Sequence, residues 1–309
     1  MMRIHLLGHP VSQSKSPPMQ NAALRSLSLD WEYSAMDVEP GDLADTLERL
    51  ESDPEVVGCN VTVPHKLAVY DWLGGQSGNR LEPGAAQAHA VNTLFRGEDG
   101  RFRGDSTDAM GGLMAVGTAT SLPVREDGTG LELTGFDIAI LGNGGSASSF
   151  AYLLAWSPMG ARSLTIFGRS AQKAQALATE VGHWRREGSP IPVRAMDLAG
   201  FPEWNRGRRS LVIQTTTVGM EGGESPGRSP VPAGSIGSDQ IAFDLVYKPH
   251  RTPFLHDARL HGARIVHGIG MLVGQGALAL RRWTTDRPVA FHLERTMETM
   301  RQALGIAER

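Results

Sequence analysis

A glycine-rich turn in the middle of the chain constrains its fold more than any other feature. Residues 138–141 form a short apolar run that leads directly into Gly142, Gly144 and Gly145. The pattern predicts a strand, a tight turn and a helix that begins near Ser146. In such a turn Gly142 permits the sharp bend, and Gly144 lets the backbone approach a pyrophosphate at the helix N-terminus. Because glycines also occur in turns that only connect a strand to a helix, the turn alone leaves both readings open.

A second predicted strand, residues 163–169, indicates which dinucleotide would bind. A Rossmann fold that binds NAD keeps an acidic residue near the end of this strand for the adenosine ribose. Gly168, Arg169 and Ser170 stand there instead, and Lys173 follows one turn later. The cations and the hydroxyl favour the 2′-phosphate of NADP. The alternative is a solvated helix start, but two cations in a first turn oppose the helix dipole and indicate an anion nearby.

Length and charge limit the class of protein. A chain of 309 residues with 40% hydrophobic composition favours two domains, each with its own core. The net charge of −3 and the lack of a long basic block argue against a nucleic-acid partner. No apolar run has the length of a signal peptide or a membrane span. Cys59 is the lone cysteine, and the histidines show no metal-ligand spacing. We expect a cytoplasmic, metal-free protein, monomeric or homodimeric, that binds a small molecule and no membrane.

The first half of the chain predicts alternating strands and helices, with polar side chains where the strands end. The predicted strands are 3–8, 31–38, 56–62 and 90–96, with a hairpin return at 101–103, and helices begin at Pro17, Leu43 and near Asp108. The hydroxyls of Ser14 and Ser16 lie just before the first helix, where they suit a carboxylate; helix capping, the alternative, needs only one. Lys66 follows the third strand, at the edge of an open α/β sheet where ligands bind. Asp108 by itself reads as a carboxylate stabilised by a helix dipole.

The second half predicts a parallel sheet of Rossmann type. Its predicted strands are 138–141, 163–169, 191–196, 211–220, 241–247 and 264–266, with helices at 146–156, 171–186 and 252–261 and a surface loop at 221–238. Two final helices, 271–283 and 288–304, have no strand between them, so we expect them to pack against the first half. The predicted fold is therefore α/β with two domains: an N-terminal substrate-binding domain of residues 1–110 plus 270–309, and a Rossmann-type NADP-binding domain of residues 111–269.

Several motifs follow one another along nearly the whole chain. They are 14–17 (SKSP) with Asn21, 58–66 (GCNVTVPHK), 84–85 (GA) with 90–94 (AVNTL), 107–111 (TDAMG), the glycine turn, 244–247 (DLVY) with Pro249 and 252–253 (TP), and 270–275 (GMLVGQ). In these residues and in their order the chain resembles the shikimate dehydrogenase family, whose members reduce 3-dehydroshikimate with NADPH. The motifs around Lys66 and Asp108 are specific to that family.

The resemblance implies a role for each matching side chain. Ser14 and Ser16 would hold the substrate carboxylate, and its ring hydroxyls would face Asn60, Thr62, Asn92, Tyr247 and Gln275. Lys66 and Asp108 would be the catalytic pair, because hydride transfer to a ketone leaves an alkoxide that needs a proton. The alternative is a buried ion pair without chemistry. The residues implied for NADP are Gly142, Asn143, Gly144, Gly145, Ser146, Arg169, Ser170, Lys173, Thr216, Gly268 and Met271.

Some positions depart from the family pattern beside these features. Gln13 and Gln20 stand where His is usual, Ser106 and Gly168 where Asn is usual, and His267 where Asp is usual. They leave the predicted fold unchanged and the choice of substrate open among shikimate, quinate and aminoshikimate. A noncatalytic shikimate-binding homologue is a further alternative, against which the intact Lys66 and Asp108 argue. A folate-type dehydrogenase would leave Ser14 and Ser16 unexplained.

Overall fold

The structure is a computed structural model that describes residues 1–74, 80–123, 130–157, 159–183 and 191–306. The chain divides into two compact units. The first unit is Met1–Asp108 together with Leu272–Arg309, and the second is Ala109–Met271. Each unit has its own sheet and its own hydrophobic core.

Helices and strands alternate through both units. In chain order, the elements of residues 1–123 are β1 (Met2–Gly8), α1 (Ser16–Ser26), β2 (Trp31–Asp37), α2 (Leu43–Ser52), β3 (Val56–Val61), α3 (Lys66–Gly74), α4 (Pro83–Ala88), β4 (Thr93–Arg96), β5 (Phe102–Asp105) and α5 (Asp108–Thr120). Those of residues 130–306 are β6 (Asp137–Leu141), α6 (Gly145–Trp156), β7 (Ser163–Gly168), α7 (Ala171–His183), β8 (Val193–Asp197), α8 (Phe201–Asn205), β9 (Ser210–Gln214), β10 (Ile241–Asp244), α9 (Pro253–Leu260), β11 (Arg264–His267), α10 (Gly268–Trp283) and α11 (Leu293–Ala303).

The sheet of the first unit has the strand order β2-β1-β3-β4-β5. Strands β1, β2 and β3 are parallel, and β4 runs antiparallel to both of its neighbours. Every residue of β3 is buried, as expected for a strand covered on both faces. Helix α2 buries Leu43, Leu47 and Leu50, whose spacing of four and three residues places them on one face, in this unit's core. The predicted hairpin of β4 and β5 is confirmed.

A tryptophan at the end of α10 fixes that helix to the first sheet. The indole Nε1 of Trp283 donates a hydrogen bond of 2.8 Å to the carbonyl of Leu94 in β4. The indole passes over Gly58 in β3, where a Cβ atom would lie well inside van der Waals distance of both partners. Only glycine leaves room for this contact, so the returning helix depends on it.

The sheet of the second unit is parallel throughout, in the order β11-β10-β9-β6-β7-β8. This is the doubly wound strand order. The chain builds the sheet outward in one direction from β6 and then in the other direction from β9, so the strand order reverses between β6 and β9. All residues of β6 are buried between β7 and β9. The glycine turn therefore leaves the sheet at the topological switch point, where ligands bind in this class of fold.

Two predicted strands end earlier than expected because side chains capture the backbone. The strand predicted for 211–220 ends at Gln214, whose amide accepts the N–H of Thr216 at 2.6 Å and donates to the carbonyls of Thr216 and Val218 at 3.1 Å. The strand predicted for 241–247 ends at Asp244, whose carboxylate accepts the N–H of Val246 at 2.9 Å. Each side chain offers the backbone an alternative to the ladder, so the extended prediction was wrong beyond these residues.

The helix predicted for 288–304 begins only at Leu293. Before it, Val289 and Phe291 donate their N–H groups to carbonyls two residues earlier, at 2.8 and 3.0 Å, which is turn geometry. The helix predicted to reach Arg186 is described as far as His183, and Arg186 lies outside the described residues. The other predicted helices and strands are confirmed within a few residues; α3, α4 and α8 were not predicted.

Candidate active site

Lys66 and Asp108 form an ion pair in the first unit. Each is the first residue of its helix, α3 or α5, and Lys66 Nζ donates to Asp108 Oδ2. Only 14% of the lysine side chain and 5% of the aspartate side chain are exposed, so solvent screens the pair weakly. The two residues are 42 positions apart in the chain and come together only through the fold.

Two hydrogen bonds, one from the side chain of His65 and one to the carbonyl of Lys66, fix the backbone where α3 begins. The buried ring of His65 makes a 2.7 Å hydrogen bond through Nε2 with the carbonyl of Val38. The carbonyl of Lys66 accepts the N–H of Val91, the residue directly before Asn92, at 3.0 Å. Sequence reasoning did not identify His65 as an anchor, because a histidine beside a lysine carries no pattern that distinguishes a buried ring from a solvated one.

Asn92 holds the second oxygen of Asp108. Its Nδ2 donates to Asp108 Oδ1 at 2.7 Å and to Thr107 Oγ1 at 2.9 Å. Its Oδ1 accepts the backbone N–H of Thr107 at 2.8 Å. A backbone N–H can only donate, so this bond determines which end of the amide is the oxygen. Both oxygens of the carboxylate are thus occupied, one by a cation and one by an amide.

Gln275, from α10, joins the same cluster. Its carbonyl accepts the hydroxyl of Thr107 at 3.1 Å, and its Oε1 lies 3.4 Å from Asn92 Nδ2. Its own Nε2 donates to the carbonyl of Leu272 at 2.9 Å. One residue on, the carbonyl of Gly276 accepts Nε2 of the fully buried Gln20 at 3.0 Å, so α1 fixes this part of α10.

The two serines lie where α1 begins. The hydroxyl of Ser14 accepts the N–H of Ser16 at 3.2 Å, and the N-cap residue, Lys15, makes no side-chain capping bond. Pro17 and Pro18 follow and have no N–H. The first turn therefore offers few backbone donors to an anion, whereas the serine hydroxyls are able to donate. Thr62, half-buried, lies beyond β3 on the way to Lys66.

In the second unit the glycine turn is open and leads directly into the N-terminus of α6. Gly142 has φ +122°, and a Cβ there would lie 2.5 Å from Thr215 Oγ1. A Cβ on Gly144 would meet nothing within 4 Å, and Gly144 caps α6 without a side-chain bond. Helix α6 begins at Gly145, one residue before the predicted start, with Asn143 and Ser146 half-buried beside it. The turn leaves open space in front of the helix N-terminus.

The cationic residues follow the neighbouring strand, β7. Arg169, Ser170 and Lys173 are exposed, and the N–H of Lys173 donates to Ser170 Oγ at 3.4 Å. A Cβ on Gly168 would lie 3.3 Å from Nδ2 of Asn143, so the amide of the glycine turn lies close to the space that the family's usual asparagine would take. Because β6 and β7 are adjacent and parallel, their C-terminal ends share one edge of the sheet.

Four other predicted residues follow strands of the same sheet. Thr216 follows β9 and donates its hydroxyl to Gln214 at 2.8 Å. Gly268 begins α10, where a Cβ would clash with the carbonyl of Leu245, and Met271 packs in the core of the unit. Tyr247 is half-buried after β10, and burial raises the pKa of its phenol.

Metal clusters and membrane-spanning helices are both absent from the described ranges. Between residues 1 and 306, outside the gaps given above, no group of at least three His, Cys, Asp or Glu side chains could hold a metal ion. No helix in the described part of the chain has the length and apolar character needed to cross a membrane.

Comparison with known proteins decides the family. A family model described as the shikimate dehydrogenase substrate binding domain matches residues 6–94. The NADP-dependent shikimate dehydrogenase of Shouchella clausii is 34% identical over 292 residues, 94% of this chain and 96% of that protein. The chain belongs to the shikimate dehydrogenase family.

Solved structures agree with this family. That of shikimate 5-dehydrogenase from Thermus thermophilus, in complex with NADP(H) and shikimate, has a TM-score of 0.77 and 34% identity, covering 98% of this chain and 100% of that one. The ligand-free 5-ketofructose reductase of Gluconobacter sp. strain CHM43 has a TM-score of 0.74 and 26% identity, covering 97% and 98%. Enzymes named for different substrates thus share the fold, and the site has to decide the substrate.

The departures from the family pattern lie around the two sites. Ser106 precedes Thr107 and donates its N–H to Asp105 Oδ1 at 2.8 Å. His267 stacks on His250 with ring centroids 4.1 Å apart, and burial together with that neighbouring ring lowers its pKa. Gln13 is exposed. None of the three interrupts the bonds among Lys66, Asp108 and Asn92.

Proposed function

We propose that this shikimate dehydrogenase family member catalyses the reversible, NADP-dependent reduction of 3-dehydroshikimate to shikimate. The observation that carries the proposal is the enclosed Lys66–Asp108 pair, whose carboxylate is held on its other side by Asn92. With both of its oxygens held, the Asp108 carboxylate keeps one orientation toward Lys66, as the partner of a positioned general acid must.

The chemistry assigned to the chain is the handling of a proton. NADPH, when bound, supplies the hydride. Lys66 donates a proton to the oxygen that the reduction leaves negatively charged, and in the reverse direction it accepts that proton. Asp108 orients the ammonium through Oδ2, which leaves the other N–H bonds of Lys66 available for substrate. Transfer by a positioned group of this kind accelerates a reaction by roughly 10²- to 10⁴-fold.

The substrate is assigned to the first unit by its polar groups. Ser14 and Ser16 donate to the carboxylate, and Thr62, Asn92 and Gln275 face the ring hydroxyls; a contact of Tyr247, which lies in the second unit, with those hydroxyls stays a prediction. Asn60 also supports Asn92. Its Nδ2 donates to the carbonyl of Asn92 at 3.1 Å and to Thr93 Oγ1 at 3.2 Å, and the residue is 4% exposed. A contact of Asn60 with the ring stays a prediction.

The second unit is assigned to NADP. The open space in front of Gly144 and the uncapped start of α6 fit a pyrophosphate, which Gly142, Asn143, Gly145 and Ser146 surround. Arg169, Ser170 and Lys173 fit the 2′-phosphate, since they are exposed and the segment 168–173 contains no acidic residue. The remaining residues assigned to the nucleotide are Thr216, Gly268 and Met271. A cytoplasmic location and a monomeric or homodimeric state stay predictions.

Quinate and aminoshikimate are the alternative substrates, because they carry the same carboxylate and ring hydroxyls. A noncatalytic shikimate-binding protein is the alternative of a different class. The decisive experiment incubates purified protein with shikimate, quinate or aminoshikimate, each with NADP and with NAD, and follows the absorbance of the reduced nucleotide. The proposal expects the highest kcat/KM for shikimate with NADP. A higher value for either other acid would reassign the substrate, and binding of shikimate without turnover would favour the noncatalytic alternative.

A further inference from the structure

A groove lined mostly by polar side chains lies in the first unit, where α1 ends and α11 begins. The two helices pack together, and the groove between these ends has a volume of about 230 Å³, far more than one water molecule needs. The lining of this α1–α11 groove comprises residues 26–28, Ala290, His292, Arg295 and Thr296. None of them belongs to the proposed substrate or dinucleotide sites. At about 1.5 Å per residue, α1 places its last residue about 15 Å from its first.

Thr296 is the most buried residue that lines the groove. Only 4% of it is exposed, yet its hydroxyl has no hydrogen-bond partner among the residues that the structure describes. The hydroxyl is not fully enclosed, so its exposed part faces the groove. A polar group that is mostly buried and unpaired costs free energy in the folded protein. A ligand that accepts a hydrogen bond from Thr296 would remove this cost.

The first turn of α11 adds backbone donors at the same place. The N–H groups of residues 293–295 have no acceptor within the described ranges, and the N-cap residue, His292, makes no side-chain capping bond. Unpaired N–H groups and the positive end of the helix dipole attract an anion. Glu294 carries the opposing charge in this turn, but it lies about 100° and 200° around the helix from Arg295 and Thr296, which line the groove.

Arg295 and Ser28 supply side-chain donors from the two sides of the groove. In the part of the chain that the structure covers, the Arg295 guanidinium has no acidic partner and the Ser28 hydroxyl has no hydrogen-bond partner. At the negative end of α1, the carbonyls of residues 23–25 already accept the N–H groups of residues 27–29. The groove therefore presents a positive charge and free donors, while these carbonyls are occupied.

We propose that the α1–α11 groove binds a phosphate group, either as free phosphate or as the phosphate of a small monoester. The several charged oxygens of a phosphate match a guanidinium, two hydroxyls and the N–H groups of a helix start. Leu27 and Ala290, the apolar residues of the lining, would contact the organic part of a monoester. The competing account is a solvated surface groove, in which the Thr296 hydroxyl carries its cost without a function.

Amide NMR of the isotopically labelled full-length protein locates the binding directly. Inorganic phosphate is titrated at constant ionic strength with NADP in excess, because NADP occupies the phosphate positions proposed for the second unit. We expect saturable shifts of the N–H signals of residues 293–296. Phenyl phosphate and benzoate are titrated in the same way. Tighter binding of phenyl phosphate than of free phosphate would identify a monoester as the ligand, equal binding would identify free phosphate, and benzoate binding as tight as either would overturn the phosphate assignment.

Three variants remove the donors one at a time. Arg295→Gln should raise the Kd for phosphate about tenfold or more, and Thr296→Val and Ser28→Gly about twofold to tenfold each. Ser28 has φ +56°, where glycine is favoured, so Ser28→Gly should fold normally. Thr296→Val replaces the unpaired hydroxyl with a methyl group, so its Tm in phosphate-free buffer should be equal to or above that of the wild type while phosphate binding weakens. A threonine with a structural role alone would not separate these two effects.

Arg25→Gln is the matched control, because Arg25 is an exposed cation in the last turn of α1 that does not line the groove. Its Kd for phosphate should stay within about twofold of the wild type. A loss equal to that of Arg295→Gln would show attraction by overall charge and overturn the site. Folded Thr296→Val and Ser28→Gly proteins that bind phosphate like the wild type, or an absence of saturable shifts at residues 293–296, would also overturn it.

Discussion

Replacing Asp108 by asparagine isolates what the carboxylate contributes. Its two oxygens accept from Lys66 Nζ and from Asn92 Nδ2, the latter at 2.7 Å. An asparagine has one oxygen and one NH₂ group. If its oxygen faces Lys66, its NH₂ meets the NH₂ of Asn92; if it is turned over, its NH₂ meets the ammonium. Either orientation sets a donor against a donor.

The magnitude follows from the burial of the pair. Removing one partner of a buried ion pair costs about 3–5 kcal/mol, and with 14% of the lysine side chain exposed, water recovers part of that loss. We expect the free energy of unfolding to fall by about 3 kcal/mol. The catalytic loss should be larger, since Lys66 loses the group that orients it; kcat should fall about 10²- to 10⁴-fold.

Asp105→Asn is the matched control for this variant. Asp105 is also a largely buried carboxylate of the first unit, paired with Arg282 Nε at 2.7 Å and accepting the N–H of Ser106 at 2.8 Å. Its variant should lose stability and keep kcat within about threefold of the wild type. Denaturant unfolding and steady-state rates of NADPH formation measure both. A kcat for Asp108→Asn within a few-fold of the wild type, or an equal loss in Asp105→Asn, would refute the reasoning.

Three further changes test other parts of the molecule. Arg169→Ala should weaken binding of NADP about tenfold to a hundredfold and leave NAD nearly unchanged, because a charge-assisted bond to phosphate is worth about 1.5–3 kcal/mol; equal losses in titrations with the two nucleotides would contradict the 2′-phosphate assignment. Gly58→Ala forces a methyl group into the Trp283 contact and should lower the free energy of unfolding by about 1–3 kcal/mol or more, whereas Gly41→Ala, with nothing within 4 Å, should not; equal Tm values would contradict this. Asp244 is buried and its pKa is raised to about 7. The unfolded chain releases this proton near pH 4, and the folded protein releases it only near pH 7. Protonation of Asp244 therefore stabilises the folded state fully below pH 4, and this contribution to the free energy of unfolding, roughly 4 kcal/mol in all, is lost as the pH rises through 7. Asp244→Asn should flatten that part of the stability profile, and an identical profile would show that the carboxyl is not protonated in the folded state.

The fold was predictable wherever burial left a pattern in the sequence. The apolar run that became β6 and the glycines after it indicated a central buried strand and a turn at the sheet edge, and the structure has both. The prediction of β9 ran too far because the threonines after Gln214 favour strands by themselves. The amide of Gln214 that turns the backbone away is a competition between hydrogen bonds, which propensity does not describe.

The residues of the candidate site were easier to predict from the sequence than the contacts among them. Nothing in the spacing of Lys66 and Asp108 brings them together, and only the resemblance to a family joined them. The hydrogen bonds that support these two residues could not be predicted, for a different reason. An aromatic residue on a strand of alternating polar and apolar residues, such as Tyr33, looks like a core residue in the sequence. Whether its hydroxyl reaches the amide of Asn60, as it does in the structure, depends on the register of β1, β2 and β3.

The most direct test of the proposed chemistry compares the wild type with Lys66→Ala. Turnover of shikimate with NADP is followed by the absorbance of NADPH, and the Kd of shikimate is measured by calorimetry on the same preparations. The proposal predicts that Lys66→Ala lowers kcat about 10²- to 10⁴-fold while its shikimate Kd stays within about threefold of the wild type. A wild-type protein that binds shikimate, together with a Lys66→Ala variant whose turnover is no lower, would contradict it.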